Sequence, residues 1–295
     1  MEKELLVYIN GEYYPKSQAK ISVYDRGLLY GDGVFEGIRA YKGVVFKLKE
    51  HIDRLYNSAH AIMLDIPLTK DEMIKAVIDT LKRNNLRDAY IRLIVTRGVG
   101  DLSIDPRKCS RPTVIIITDT INLHKTEAKE RGITAAITWV RRDVVDATTH
   151  EVKSLNYLNS ILAKIEANNM GVDEAICLDH RGFVCEGAAE NIFIVKDEKI
   201  ITPPTTTGAL PGVTRNRVIQ LAKDLGYKVY EEDLTPTELF TADEVFFTGT
   251  AAEIVPVIEI NGRKIGDGLP GPVTKHLMRE FEKIVCDPKE GIPIE

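Results

Sequence analysis

The sequence predicts an α+β fold in two domains. Strand-like runs and amphipathic helices alternate in the first part, and strands mixed with helices return in the second. Between them the polar stretch "TINLHKTEAKER" has no sheet pattern. We therefore place a small N-terminal domain at residues 1–120, a linker at 121–131 and a larger C-terminal domain at 132–295. A chain of 295 residues is about twice the usual length of one domain, which agrees with this division.

The first domain is expected to begin as an antiparallel sheet. The run "LLVYI" ends at Asn10-Gly11, and the run "VFEGIRAY" ends at Lys42-Gly43 before "VVFKL". Asn-Gly is a preferred pair for a two-residue hairpin turn, because both central residues of that turn need a positive φ. The later runs "AYIRLIVT" and "TVIIIT" predict two further strands.

Two amphipathic helices are predicted between these strands. The second is expected to begin at a capping box, in which Thr69 and Glu72 satisfy backbone amides of the first turn. The first is predicted from apolar residues at helical spacing: Leu48, Ile52, Leu55, Ala59 and Ile62.

The second domain is predicted to mix strands and helices. Strands are expected at "ITAAITWV", "EAICL", "NIFIV" and "EVFFT". Helices are expected to follow Lys153, Gly212 and Gly271. The C-terminal "CDPKEGIPIE" is expected to form a frayed tail.

Composition argues against several classes of function. The 39 basic and 44 acidic residues give a formal net charge of -5, and no stretch concentrates positive charge, so nucleic-acid binding is disfavoured. Four cysteines form no CxxC pair, which fits a reducing cytoplasm better than a disulfide framework or a thiolate zinc site. No segment reaches the ~18 consecutive apolar residues of a membrane span, and the N-terminus lacks a long apolar run. We therefore expect a cytoplasmic protein without membrane or nucleic-acid partners.

Several common motifs are also missing from the sequence. The glycines of "GDGVFEG" miss the GxGxxG spacing and lead into a strand rather than a helix, so a nicotinamide cofactor is not expected. The sequence has no GxxxxGK[ST] loop and no GxSxG. Its six histidines never pair at i, i+4, so no metal site is predicted.

Two segments are suited to binding an anion. In "ALPGVTRNRVIQLAKDLG" a Pro-Gly turn leads into a helix for which Thr214 is the expected N-cap. In "FFTGTAAEI", residues 248–250 follow a strand, where their backbone amides can approach a ligand. Either segment alone is more often an ordinary capped turn. Together with Lys153, and with Glu186 in "CEGAAENIF", they form the set of groups that a pyridoxal phosphate site requires.

Six motifs, in order along the chain, resemble those of branched-chain amino acid aminotransferases, a family of fold-type IV pyridoxal phosphate enzymes. They are "YGDGVFEGIRAY", "HIDRLYNSA", "VKSLNYLN", "CEGAAENIF", "ALPGVTR" and "FFTGTAAEI". The resemblance implies a small α+β N-terminal domain and a larger pseudo-barrel α+β C-terminal domain. It also implies pyridoxal 5'-phosphate as the cofactor.

The resemblance assigns cofactor-binding roles. Lys153 matches the lysine that links to the cofactor and then moves a proton, which requires a pKa below the ordinary lysine value of about 10.4. Glu186 matches the carboxylate that faces the pyridine nitrogen and favours the protonated ring. Tyr157 matches the phenol that bonds the 3' oxygen. The phosphate is expected to be bound by Arg54, Val213, Thr214 and Thr250.

The resemblance assigns substrate-binding roles as well. The amides of Thr250 and Ala251, with Tyr90, match the groups at the α-carboxylate, and Arg92 matches the arginine that accepts the second carboxylate of glutamate. The side-chain pocket and its covering loop are expected to contain Tyr30, Phe35, Gly37, Leu102, Ser103 and Ile104. Tyr30 and the loop residues 102–104 are expected to come from the neighbouring subunit. Activity should therefore require a homodimer, and assembly beyond the dimer is left open.

Two features have no counterpart in the resemblance. Arg97, in "VTRG", has no assigned role and could assist Arg92 or line the loop. The linker lacks the aromatic residues that some relatives place over the substrate, which leaves the lid side of the pocket undefined.

The expected reaction is amino transfer between L-leucine, L-isoleucine or L-valine and 2-oxoglutarate, giving branched-chain 2-oxo acids and L-glutamate. A D-amino acid aminotransferase or an R-selective amine transaminase shares the fold, the cofactor and the lysine. A pyridoxal phosphate lyase is another reaction on the same scaffold, and "FEGIR" and "YIR" argue against all of these. A non-catalytic binding protein would leave Lys153, Glu186 and Tyr157 as coincidences.

Overall fold

A computed structural model describes residues 4–120 and 125–295, and the chain divides into two units. The first unit comprises Met1–Ile121, Val152–Asn156 and Ile284–Glu295. The second comprises Asn122–Glu151 and Tyr157–Lys283. Part of the expected linker, 121–124, lies outside the described residues, and the rest of it is helical.

Strands and helices follow one another along the chain in two groups. The first group is β1 Leu6–Ile9, β2 Glu12–Pro15, α1 Arg26–Tyr30, β3 Gly33–Tyr41, β4 Val44–Phe46, α2 Leu48–Ala61, α3 Lys70–Arg83, β5 Ala89–Thr96 and β6 Thr113–Asp119. The second group is α4 Lys125–Arg131, β7 Ile133–Arg141, α5 Leu158–Asn169, β8 Glu174–Leu178, β9 Val184–Gly187, β10 Asn191–Lys196, β11 Lys199–Thr202, α6 Val213–Asp224, β12 Lys228–Glu231, α7 Pro236–Phe240, β13 Glu244–Gly249, β14 Glu253–Ile260, β15 Arg263–Lys264, α8 Pro272–Ile284 and β16 Gly291–Pro293.

The first unit is built on an antiparallel sheet with the strand order β16-β4-β3-β5-β6-β1-β2. The predicted hairpin turns form, with φ of 51° at Asn10 and 99° at Gly11. Helix α3 begins at the predicted capping box of Thr69 and Glu72. The apolar faces of α2 and α3 belong to the same core as the sheet, because both helices are amphipathic at the spacing that the sequence predicts. The core includes Ile38, Leu48, Ile52, Leu55, Met73, Leu81, Ile91 and Leu93.

The second unit is built on a mixed sheet with the strand order β12-β11-β10-β13-β14-β7-β8-β9, and β15 pairs with β14. The pairs β11/β12, β14/β7 and β7/β8 are parallel. Helix α5 contacts β7 and β8, and α6 contacts β12 and β13. At the centre of the sheet the rings of Phe193 and Phe246 stack at 4.9 Å. The helices predicted after Lys153, Gly212 and Gly271 are α5, α6 and α8.

The expectation of a frayed C-terminal tail is wrong. Residues Gly291–Pro293 form an edge strand that pairs with β4, and Ile294 is buried. Lys47 and Glu290 form an ion pair at 2.9 Å beside this strand. A three-residue strand has too little local pattern to be recognised before its partner strand is known.

Candidate active site

Lys153 belongs to the first unit, where its segment extends the edge of β3. The Phe35 N–H donates to the Lys153 carbonyl at 3.0 Å, and the Leu155 N–H donates to the Gly33 carbonyl at 2.9 Å. The Lys153 N–H donates to Ser58 Oγ of α2 at 3.1 Å. Backbone bonds on both sides therefore fix the position of this lysine, although residues 152–156 are distant in sequence from β3.

Four predicted residues lie close together beside this segment. The Arg92 guanidinium lies 4.6 Å from the centroid of the Phe35 ring, and Lys153 Nζ lies 4.7 Å from the same centroid. Arg92 Nη2 donates to the Tyr90 hydroxyl at 3.0 Å. A Cβ at Gly37 would overlap that hydroxyl, so only glycine allows the tyrosine to approach β3. The register of Gly37 with Arg92 places these side chains on one face of the sheet.

Arg54 lies on α2 and is held by a buried carboxylate. Its Nε donates to Glu36 Oε1 at 2.8 Å, and its Nη2 donates to Glu36 Oε2 at 2.7 Å. His51 Nδ1 lies 2.8 Å from Glu36 Oε2. Glu36 and His51 lie within the sequence motifs, but the sequence alone predicts no role for either.

A second group in the first unit contains Tyr30 and the predicted loop. The Tyr30 hydroxyl donates to the Leu102 carbonyl at 2.6 Å, and buried Arg26 donates to the Asp101 and Ser103 carbonyls. Leu102 and Ile104 are 66% and 75% exposed, so their apolar side chains are available for contact with another molecule.

Arg97, whose role the sequence left open, is used within the first unit. Its guanidinium forms an ion pair with Asp32 at 3.0 Å and donates to the Ile62 carbonyl at 2.8 Å. It therefore joins the end of β5 to the start of β3 and the end of α2.

Glu186 is buried in the second unit and is bound by three groups. Arg142 Nε lies 3.1 Å from Oε1, Asn191 Nδ2 donates to Oε2 at 3.2 Å, and the Leu210 N–H donates to Oε2 at 3.0 Å. Burial lowers the pKa of Arg142, but the negative charge of Glu186, together with smaller contributions from Cys177, Cys185 and Tyr157, raises it above its ordinary value. A guanidinium that stays charged favours the ionised form of Glu186.

Arg142 also connects this carboxylate to the start of α5. Its Nη1 donates to Asn159 Oδ1 at 3.0 Å and to Ser160 Oγ at 3.1 Å. Tyr157 is the N-cap residue of α5, so the predicted phenol lies at the beginning of this helix rather than within it. Its ring lies 5.9 Å from that of His150.

The expectation that Thr214 is the N-cap of its helix is wrong, because α6 begins at Val213 and its N-cap, Gly212, lies two residues before Thr214. Gly212 has no side chain to cap the helix, so the amides of Val213 and Thr214 open the first turn without a side-chain acceptor at the cap. A Cβ at Gly212 would overlap Asn191 Oδ1, which requires glycine at this position. The arrangement leaves the positive end of the helix dipole suited to an anion.

Thr250 and Ala251 lie in the short connection between β13 and β14. Thr248, at the end of β13, pairs in register with Asn191, which places this connection beside the Asn191 strand that also contacts Glu186 and the start of α6. The Thr248 hydroxyl is buried and has no hydrogen-bond partner among the described residues.

Two residues of this site were missed by sequence reasoning. Asn191 lies within "CEGAAENIF". It is a polar residue at the start of a buried strand, and this position could have marked it as a site residue. Arg142 follows a strand in "WVRRD", and nothing local distinguishes it from a surface arginine. Their place in the site follows only from the folded structure, in which both contact the Glu186 carboxylate.

Three further observations concern metal ligands, cysteines and membrane-spanning helices. The described residues contain no cluster of three or more side chains suited to holding a metal ion. All four cysteines are free, and burial raises the pKa of the Cys177 and Cys185 thiols, which disfavours the thiolate form. Within the described ranges, no helix has the length and apolar character that crossing a bilayer demands.

Residues 33–260 match the family described as amino-transferase class IV. The chain belongs to this family. A Methanocaldococcus jannaschii protein, provisionally named a branched-chain-amino-acid aminotransferase, is 59% identical over 278 residues, which cover 94% of this chain and 96% of that protein.

Solved structures agree with this assignment. The crystal structure of the Escherichia coli branched-chain amino acid aminotransferase has a TM-score of 0.93 at 39% identity and covers 96% of this chain and 95% of its own. The branched-chain amino acid aminotransferase of Thermobaculum terrenum, solved in its PLP form, the holo form, has a TM-score of 0.91 at 30% identity and covers 100% of each chain. These comparisons confirm the α+β fold-type IV fold and the family resemblance of the six motifs.

Proposed function

We propose that this branched-chain amino acid aminotransferase transfers the amino group of L-leucine, L-isoleucine or L-valine to 2-oxoglutarate. The products are the branched-chain 2-oxo acids and L-glutamate. The cofactor is pyridoxal 5'-phosphate, which supplies an electron sink for the carbanion that forms when the α-proton leaves.

The residues present fit this cofactor. The uncapped first turn of α6, the Thr250 amide and the Arg54 guanidinium are groups that bind a phosphate. Glu186, bound by Arg142 and Asn191, supplies a fixed negative charge for a protonated pyridine nitrogen. The proposal therefore assigns Arg54, Val213, Thr214 and Thr250 to the phosphate, Glu186 to the ring nitrogen and Tyr157 to the 3' oxygen.

The observation that carries the substrate proposal is the position of Arg92 against Phe35, beside Lys153. Phe35 offers an apolar surface for a branched alkyl group. Arg92 offers two donors to the γ-carboxylate of glutamate, which would otherwise be an unpaired charge against that surface. One pocket can then accept both substrates.

Catalysis in this proposal depends on moving one proton. Lys153 would take the proton from the substrate α-carbon and deliver it to the C4′ carbon of the cofactor in the first half of the reaction, and it would move a proton in the opposite direction in the second half. The backbone hydrogen bonds between the Lys153 segment and β3 support this role, because they fix the backbone from which the amine extends. Tyr90 and the Thr250 and Ala251 amides orient the α-carboxylate.

We further infer that the active unit is a homodimer in a reducing, cytoplasmic environment. The exposed apolar side chains of Leu102 and Ile104, with Ser103 between them and Tyr30 beneath, support contact with a second copy. The free cysteines support the compartment. Leu102→Glu with Ile104→Glu should give monomers and low activity, measured by analytical ultracentrifugation and by turnover. A fully active monomer would contradict the dimer.

The cofactor link tests the site. Purified protein should be yellow, and borohydride reduction followed by peptide mapping should find the cofactor on Lys153. Lys153→Ala should lose both the covalent adduct and turnover. An adduct on another lysine would refute the site.

A panel of amino donors tests the substrate. L-leucine, L-isoleucine, L-valine and L-glutamate should react with 2-oxo acids, while D-alanine and simple amines react poorly. Each buried methylene contributes about 0.8 kcal/mol, so L-alanine should be visibly slower than L-leucine. Preference for D-amino donors would favour a D-amino acid aminotransferase instead.

A further inference from the structure

The Glu36 carboxylate is buried beneath the predicted substrate face of β3. Its side chain contacts α2, where it binds His51 and Arg54, whereas its neighbours Phe35 and Gly37 point to the opposite face. A charged group at 0% exposure is costly to bury unless it is paired. Glu36 can therefore fix the orientation of its partners His51 and Arg54 through hydrogen bonds and charge, which an apolar side chain could not do.

The hydrogen bonds define the orientation of the Arg54 guanidinium. Glu36 accepts from Nε and Nη2 through its two oxygens, which is the parallel two-bond geometry of an arginine–carboxylate pair. The guanidinium is planar, so a fork made by Nε and Nη2 turns the Nη1 edge away from Glu36. The two bonds to Glu36 therefore fix the orientation of the Arg54 guanidinium.

The same helix face also holds Lys153. His51, Arg54 and Ser58 are spaced by three and four residues on α2, so they share one side of the helix. Ser58 accepts from the Lys153 N–H at 3.1 Å. Glu36 thus acts on the helix that positions both the proposed phosphate arginine and the backbone of the proposed catalytic lysine.

Charge balance within the cluster agrees with an ionised Glu36. Burial would raise the pKa of Glu36, but the Arg54 charge and the hydrogen bonds from Arg54 and His51 lower it to about 2. Burial lowers the pKa of His51, and the nearby Arg54 and Lys153 charges lower it further, although Glu36 opposes them. A neutral His51 then completes an ion pair of Glu36 and Arg54 with no excess buried charge.

We infer that Glu36 is a positioning residue for cofactor binding, which holds the Arg54 guanidinium in the orientation that binds the cofactor phosphate. This inference rests on the proposed function, since it concerns the same phosphate. Glu36 itself does not touch the substrate or the cofactor, and it acts through Arg54.

The test compares two ligands that differ only in the phosphate. Full-length apoprotein is titrated with pyridoxal 5'-phosphate and with pyridoxal, and binding is followed by absorbance. Glu36→Gln removes the charge and keeps the shape. It should weaken the binding of pyridoxal 5'-phosphate about 10–100-fold, which corresponds to the loss of a hydrogen bond to a charged group. The affinity for pyridoxal should be unchanged.

A double-mutant cycle shows whether the effect passes through Arg54. Arg54→Ala should give a similar selective loss, and adding Glu36→Gln to Arg54→Ala should cost no further affinity. Glu244→Gln is the matched control, because it neutralises another buried carboxylate, whose partners are amides of α8. It should leave the affinity of both ligands unchanged. If Glu36→Gln does not fold, Glu36→Asp keeps the charge but is too short for both bonds, and the same selective loss is expected.

The outcomes separate the inference from the function. Equal losses for both ligands, additive losses in the cycle, or unchanged affinity in a folded Glu36→Gln protein would overturn the positioning role while leaving the aminotransferase intact. A wild-type protein that binds pyridoxal as tightly as pyridoxal 5'-phosphate would contradict the phosphate site of the proposed function, and this inference with it.

Discussion

Replacing Glu244 by alanine is expected to destabilise the second unit by about 3 kcal/mol. Glu244 begins β13 and is almost fully buried. Its carboxylate accepts from the Val273 N–H at 2.9 Å, from the Thr274 N–H at 2.7 Å and from the Thr274 hydroxyl at 2.6 Å. It therefore serves as the N-terminal cap of α8, although 30 residues separate it from Thr274.

The expected loss of stability follows from the Val273 and Thr274 donors, which lose their acceptor when Glu244 is replaced by alanine. Loss of a hydrogen bond to a charged group costs about 1.5–3 kcal/mol, and loss of a negative charge at a helix N-terminus adds about 0.3–1 kcal/mol. Thr274 is fully buried, so water cannot readily replace the carboxylate at its amide and hydroxyl. Glu244→Gln keeps one acceptor oxygen and should cost about half as much.

Gly271 provides a second and sharper test of the same contact. A Cβ at Gly271 would overlap the Glu244 carboxyl group, and the backbone there does not require a positive φ. Gly271→Ala should therefore destabilise the wild-type protein by displacing Glu244. In the Glu244→Ala background the same change should be neutral, or stabilising by about 0.4–1 kcal/mol, because alanine reduces the freedom of the unfolded chain.

Calorimetry of the four proteins with saturating cofactor measures these effects. A loss of about 3 kcal/mol corresponds to a fall in Tm of about 6–12 °C for a unit of this size. The reasoning is refuted if Glu244→Ala melts within about 1 °C of the wild type, or if Gly271→Ala destabilises both backgrounds equally.

Three further predictions concern the site and its surroundings. Glu186→Gln should still form the covalent adduct on Lys153 but lose at least about 100-fold in kcat, because the ring nitrogen loses its fixed charge; near-native kcat would remove this role. Arg92→Ala should slow the single-turnover reaction with 2-oxoglutarate far more than that with L-leucine, and equal losses would show that Arg92 binds the shared α-carboxylate or supports the fold. The Glu36 pKa of about 2 lies below the ordinary 4.5, so its charge stabilises the fold above pH 4.5 and that contribution, on the order of 3 kcal/mol, is lost as the pH falls toward 2. Urea unfolding of wild-type and Glu36→Gln proteins should therefore differ more at pH 7 than at pH 3, and a constant difference would contradict the ion pair.

The sequence by itself determined most of the secondary structure, because those signals are local. The Asn10-Gly11 turn, the Thr69 capping box and the β5 run "AYIRLIVT" depend on residues within a few positions of one another, and each has the predicted form. The family resemblance gave predicted roles to Lys153, Glu186 and Arg54, because the six motifs that carry it contain these residues.

Only the tertiary structure decided which distant residues meet. The Lys153 segment joins the edge of β3, Glu186 meets Arg142, and Glu244 caps α8, each across many residues of sequence. The strand at Gly291–Pro293 likewise forms against β4, where the sequence predicted a frayed tail. Partner choice at such positions depends on burial and on the pairing of charges in the folded chain, and no local pattern encodes either.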